Sequence, residues 1–352
     1  MQPDKPYDFT DAVFYFFKVL ARRPGRTLWV GLWNALLYIV LGGLLLWAFL
    51  PFYLTVFELA QTGADPDPSQ IMSMFATMAG AGVLAFFGGI AVALMAQGAW
   101  LRLLARDEVA PGIPLRLGSD EFRLLGVNIL LIIILMGTYF VGALLVAVPV
   151  VIGAAGGGEG APVAIAVLAG VVGVIALIVA MVFLSIRLSP APALTVLDRK
   201  IRLSGAWPVT KGIFWWVFLT YIVLGLIVAF ASSMISSFVQ LMFLPILIPV
   251  LTEISQQSGN MDPDQAMDML RAAFTSTGTI ALFAVAVVIS IVGQIFYEGM
   301  WHAVGAYLAR RHRGLEGTPL EAVPAAPTPP PAPVSPPANT GDAGGDSGSS
   351  PA

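Results

Sequence analysis

The stretch Ile213–Leu251, IFWWVFLTYIVLGLIVAFASSMISSFVQLMFLPILIPVL, runs apolar for 39 residues and decides how often the chain crosses a membrane. As a helix rising ~1.5 Å per residue it would reach about 58 Å, nearly twice a hydrocarbon layer of ~30 Å. Read as two crossings, it sets the basic flank Arg310–Arg313 opposite every other basic segment. Read as one crossing, Ile213–Ile235, it keeps them together. The single crossing is therefore preferred. Ser232, Ser233, Ser236 and Ser237 then mark a break, and Val239–Leu251, with Pro245 and Pro249, is expected as a non-crossing segment on the outer face.

Five further runs fit the same length: Leu28–Leu50, Ile71–Trp100, Leu124–Ile152, Val163–Ile186 and Ile280–Trp301. Each exceeds the ~20 apolar residues a spanning helix needs. The runs are continuous rather than alternating, so they predict helices and not barrel strands. Composition agrees. Of 352 residues, 57% are hydrophobic and 11% charged, against about 45–50% and about 25% in soluble domains. Mean hydropathy is +0.84. With no cysteine and two histidines, thiolate metal sites, disulfides and cysteine nucleophiles are excluded, and histidine-rich metal sites are poorly supplied.

Charge placement gives the threading. All of the 18 Lys and Arg except Arg271 fall in the N-terminal segment, the second and fourth connections or the flank after the last span. The opposite loops carry Glu58, Asp65, Asp67, Glu159, Glu253, Asp262, Asp264 and Asp268. The positive-inside rule places both termini in the cytoplasm. A bacterial inner-membrane, multi-pass protein is expected, its first span a retained signal-anchor rather than a cleaved leader.

Three regions follow. Residues 1–26 form a cytoplasmic amphipathic element: Phe9, Val13, Phe16, Phe17 and Leu20 recur at helical spacing, Asp8 suits the N-cap, and Pro24-Gly25 suits the end. This helix is expected in the membrane interface or packed beneath the bundle. Residues 27–313 form the six-helix domain. Each outward-going span follows a basic segment with a glycine (Gly25, Gly118, and Gly205 or Gly212), which suggests three repeated helical hairpins. Residues 314–352 hold a Pro, Ala, Gly and Ser-rich stretch too polar to fold, expected as a disordered cytoplasmic tail in which Pro327–Pro331 can dock a partner.

Chemistry is sparse. Gln294, Glu298 and His302, spaced i, i+4 and i+8, share one face of the last helix. They read either as a proton-accepting or ligand-contacting stripe or as a carboxylate supported near the interface. Gly156–Gly160 resembles a phosphate loop but lacks the Gly-Lys-Ser/Thr ending and reads as a turn. Asp120 and Glu121 follow Ser119 as a helix N-terminus whose dipole favours negative charge. Asn34, Gln97 and Asn128 read as hydrogen-bond partners between helices, and Ala81, Ala85, Gly89, Ala93, Ala166 and Gly170 as close-packing positions. Zinc-protease and serine-hydrolase motifs are absent.

The densest polar information lies between Arg187 and Lys211. Arg187, Pro192-Ala193-Leu194 and then Trp207-Pro-Val-Thr210-Lys211-Gly212-Ile-Phe-Trp215 enter the fifth span. Their tryptophans suit the headgroup level, and Lys211 can meet lipid phosphate. This order resembles the bacterial glycerophosphodiester phosphodiesterase membrane-domain family and related uncharacterised six-span inner-membrane proteins. Arg116–Arg123 resembles a cytoplasmic motif of such proteins. Ala206 and Pro208 depart from the residues usual there. The resemblance implies that hydrolysis belongs to a separate soluble barrel, for which this chain has no room.

The expectation is thus an all-α polytopic membrane protein with six spans, not an enzyme and using no cofactor. Its partners would be membrane lipids, through anionic headgroups at the cytoplasmic face, and a protein reached through the tail or amphipathic segments, but not nucleic acid. Its role would be lipid or partner binding in envelope maintenance. A small transporter or lipid translocator, with Gln294, Glu298 and His302 beside its path, is the alternative. A membrane-embedded lipid enzyme is the third reading.

Overall fold

Backbone amides in an apolar medium must pair within their own segment, and this chain meets that demand with helices alone. A computed structural model describes residues 7–62, 66–110, 112–155, 160–257 and 263–315. Among them no strand occurs, and six helices are long and apolar enough to cross a membrane. Two short helices, α1 (Phe9–Val13) and α2 (Tyr15–Arg22), precede the spans α3 (Pro24–Thr62) and α4 (Pro68–Leu101). A π-helical turn, Arg102–Arg106, extends α4. Next come spans α5 (Ser119–Ala155) and α6 (Ala161–Leu188), then short helices α7 (Ala191–Asp198) and α8 (Ala206–Val209). Span α9 (Phe214–Gln257), helix α10 (Pro263–Thr275) and span α11 (Thr277–His312) complete the set.

The expected break in the fifth span is not there. Helix α9 runs 44 residues through Ser232, Ser233, Ser236 and Ser237 and through both prolines, so Val239–Leu251 continues the span instead of leaving it. Magnitudes explain this. A serine in a helix costs at most ~0.7 kcal/mol, whereas backbone groups left unpaired in an apolar setting cost roughly 2–7 kcal/mol each. Six crossings stand. The acidic connection after α9 also holds a helix, α10, which the sequence reading treats as loop.

The N-terminal element forms where the apolar spacing puts it, with two differences. Asp8 caps α1, its Oδ1 accepting from the Asp11 amide at 2.9 Å, but the helix is interrupted at Phe14. Pro24-Gly25 opens α3 instead of closing α2. Val13 and Phe16 turn into the bundle and are buried. The Phe16 ring sits edge-on to Trp100 and to Phe296, 5.8 Å from each. Phe14 and Phe17 remain exposed.

The spans pair as three hairpins, α3 with α4, α5 with α6 and α9 with α11. Glycines allow the middle pair its close approach: a Cβ at Gly173 would meet Val146 at 2.8 Å, and one at Gly170 would meet Val150 at 3.0 Å. The small-residue stripe expected in α4 is only partly used. Ala81 is buried, Ala93 is exposed, and a Cβ at Gly89 would meet nothing within 4 Å.

Fully buried side chains concentrate at the basic end, where Leu101, Leu104, Leu124, Leu194, Leu224 and Leu308 form one core. There the last carbonyls of the second span, which no helical amide can reach, find side-chain donors. Tyr15 donates to Leu104 O at 3.0 Å, and buried Arg310 donates to Ala105 O at 2.8 Å. Arg106 in turn donates to Val196 O of α7 at 3.1 Å. The N-terminal helices, all three hairpins and α7 are thereby fastened at one end. The Gly156–Gly160 turn falls mostly outside the described residues, and the proline-rich segment from Glu316 onward lies outside them.

Candidate functional site

Where the hairpins meet, a cavity of about 560 Å³ opens between α4, α5, α6, α9 and α11. That lies within the ~300–1,000 Å³ typical of small-molecule sites. Its body is apolar, with Leu131, Leu135, Val182 and Phe218 among the lining groups. Its polar lining groups are Gln97, Asn128, Ser185, Ser189, Tyr221 and His302. Asn128 Nδ2 donates to Gln97 Oε1 at 2.7 Å across α4 and α5, so the interhelical role read for this amide pair holds, and the pair also faces the cavity. Tyr221 is braced by Trp301, with ring centroids 5.2 Å apart.

The stripe Gln294, Glu298 and His302 divides. His302 lines the cavity. Glu298 does not; its carboxylate lies against α3, where Asn34 Nδ2 donates to Oε2 at 2.8 Å and Tyr38 donates to Oε1. Gln294 adds a weaker donor at 3.3 Å. The three donors are neutral. They orient the carboxylate and bind α3 to α11 without cancelling its charge.

The motif residues around Arg187 do come together. Its guanidinium lies 5.2, 5.4 and 5.3 Å from the ring centroids of Phe183, Trp207 and Phe214. Such cation–π contacts contribute about 0.5–2 kcal/mol. Arg187 Nη1 also donates to buried Thr210 Oγ1 at 3.2 Å. Gly212 follows with φ +80°, a left-handed conformation that favours glycine, and turns the chain from α8 into α9. Lys211 and Trp215 point outward, the latter 74% exposed. Arg187, Trp207, Thr210 and Gly212 thus build one aromatic box, while Lys211 and Trp215 form its outer rim.

Carboxylates at the basic end are committed to ion pairs. Asp120 accepts from Arg106 and Arg123, Glu121 pairs with Arg102, and Asp107 holds Arg23 at 3.3 Å and Arg26 at 3.2 Å. Among the described residues no group of three or more His, Asp or Glu could hold a metal ion. Outside the spans, burial pushes two phenols, Tyr7 and Tyr15, up to about 12. Tyr7 Oη and Thr220 Oγ1 share a hydrogen bond of 2.7 Å, tying the start of the described chain to α9.

Sequence reading missed Ser185, Ser189 and Tyr221. The two serines stand at i and i+4 across the end of α6, on either side of Arg187, a spacing that shares one face; Tyr221 offers none. Comparison with protein-family models, with curated proteins and with solved structures finds no match.

Proposed function

We propose that this chain is a non-enzymatic protein of a bacterial inner membrane, with cytoplasmic termini, that holds a membrane lipid at its basic end and so serves envelope maintenance. The observation that carries this reading is the central cavity: a mostly apolar lining with a few polar groups suits a molecule with an acyl chain and a small polar head. The exposed Lys211, Trp207 and Trp215 at the same end suit contact with anionic headgroups. Cytoplasmic placement of that end rests on the one-sided distribution of Lys and Arg. The resemblance around Arg187 and Trp207 to membrane domains that accompany lipid-derived phosphodiester hydrolysis points the same way.

A lipid translocator with Glu298 beside its path is less well supported, because Glu298 faces α3 and not the cavity. Lipid retention through detergent exchange tests the proposal. The purified protein should keep bound phospholipid detectable by mass spectrometry, and Ser185→Phe, which fills the cavity, should reduce it several-fold with the fold intact. Equal lipid content in the two proteins would refute cavity binding.

A further inference from the structure

We propose that Glu298, with Asn34 and Tyr38, forms a site between α3 and α11 for a compact monovalent cation, either a free alkali ion or the primary ammonium of a lipid headgroup. Glu298 sits within a membrane-spanning helix, three residues before Trp301. A carboxylate at such depth ordinarily has a charge partner. Here no Lys, Arg or His among the described residues pairs with it, and its contacts are the Asn34 amide, the Tyr38 hydroxyl and the Gln294 amide. All three donate, so the arrangement fits the anion and leaves its charge uncancelled.

A second observation points to what is missing. Asn34 is fully buried, and its Oδ1 has no hydrogen-bond partner although its Nδ2 touches Glu298. Buried amide oxygens are normally paired. Buried without a partner and on the amide that touches the Glu298 carboxylate, it can complete an oxygen set with Glu298 Oε1 and Oε2 and Tyr38 Oη. Hard cations take such oxygen ligands, and one carboxylate balances one positive charge. A primary ammonium fits the same set because it offers three donors and no acceptor. The cluster opens away from the central cavity: Glu298 does not line that cavity, Gln294 is exposed and Tyr38 half-buried. This site is therefore separate from the lipid cavity and stands or falls without it.

Thermal unfolding of the full chain tests the inference. In detergent, sodium chloride should raise the Tm by several degrees over choline chloride of equal ionic strength, choline being too bulky to enter. In nanodiscs kept in choline chloride, adding phosphatidylethanolamine to phosphatidylglycerol should raise it if the headgroup is the source. Sodium response alone assigns the site to the free ion, and ethanolamine response alone to the headgroup. Glu298→Gln should abolish whichever response occurs. Asn34→Ala and Tyr38→Phe, which keep the charge and remove one oxygen, should each weaken it, and they decide the matter if Glu298→Gln does not fold. No response to either cation in the unaltered chain, or responses unchanged by the substitutions, would overturn the site.

Discussion

Arg102 and Glu121 form an ion pair buried completely between the end of the second span and the start of the third, with side chains 3% and 1% exposed. Each partner makes one further hydrogen bond. Arg102 Nη2 donates to Pro114 O at 3.0 Å, and Glu121 Oε2 accepts from the Gly118 amide at 2.9 Å. The connection is thus held at Pro114 by the helix it follows and at Gly118 by the helix it precedes, and two hairpins are joined through charge in the core.

Removing one partner strands the other. Glu121→Ala should cost about 3–5 kcal/mol, because a lone buried charge is left behind. Replacing both, as Arg102→Leu with Glu121→Leu, should recover much of that loss. Reversible denaturation in detergent of the single and double variants measures the difference.

The N-terminal helices are held by an aromatic plug. Phe16 fills the space over Gly299, where an added Cβ would run into its ring. Phe16→Ala should cost about 3–5 kcal/mol, and Gly299→Ala about 1–3 kcal/mol by overpacking. Both should free α1 and α2 from the bundle, read as faster tryptic cleavage after Arg22.

Gly212 supplies the left-handed turn that brings Thr210 under Arg187, and space there is open: an added Cβ would meet nothing within 4 Å. Backbone strain alone then sets the cost. Gly212→Ala should destabilise by about 1–2 kcal/mol, measured as a lowered denaturation midpoint, and quenching of Trp207 fluorescence should change as the box loosens.

These sites differ in how far they can be read from residues alone. Six spans and their charge asymmetry were legible because lipid demands long apolar runs whose flanks carry their own sign. The motif from Arg187 to Trp215 was legible as a group because its residues are neighbours in the chain. Arg102 with Glu121 was not: Glu121 does serve the helix N-terminus as its position suggests, but its cation comes from another helix. Asn34 and Glu298 stand 264 positions apart, so only packing reveals them as partners. The serines on either side of Ile235, Ser232, Ser233, Ser236 and Ser237, misled because hydroxyls accompany breaks in water, while apolar surroundings penalise any break more than they penalise serine.

Alkaline pH should loosen the N-terminal anchor. Tyr7 and Tyr15 are buried as neutral phenols and ionise near 12 in the fold, against 10 when unfolded. Their contribution is intact below about pH 10 and falls as pH rises from 10 toward 12, since the unfolded chain gives up protons first. Phenolate absorbance should lag behind a free tyrosine titration until unfolding, and Tyr7→Phe with Tyr15→Phe should remove the lag of these two groups.

The central claim is that Phe214–Gln257 crosses once, leaving all hairpins fastened at the cationic end. A chain without cysteine permits a direct test by placing single cysteines at Lys211 and Glu253, both exposed, and labelling intact and permeabilised cells with an impermeant maleimide. Lys211→Cys should label only after permeabilisation and Glu253→Cys from outside. Labelling of both from the same side would mean that the stretch doubles back, and the common cationic end would be lost with it.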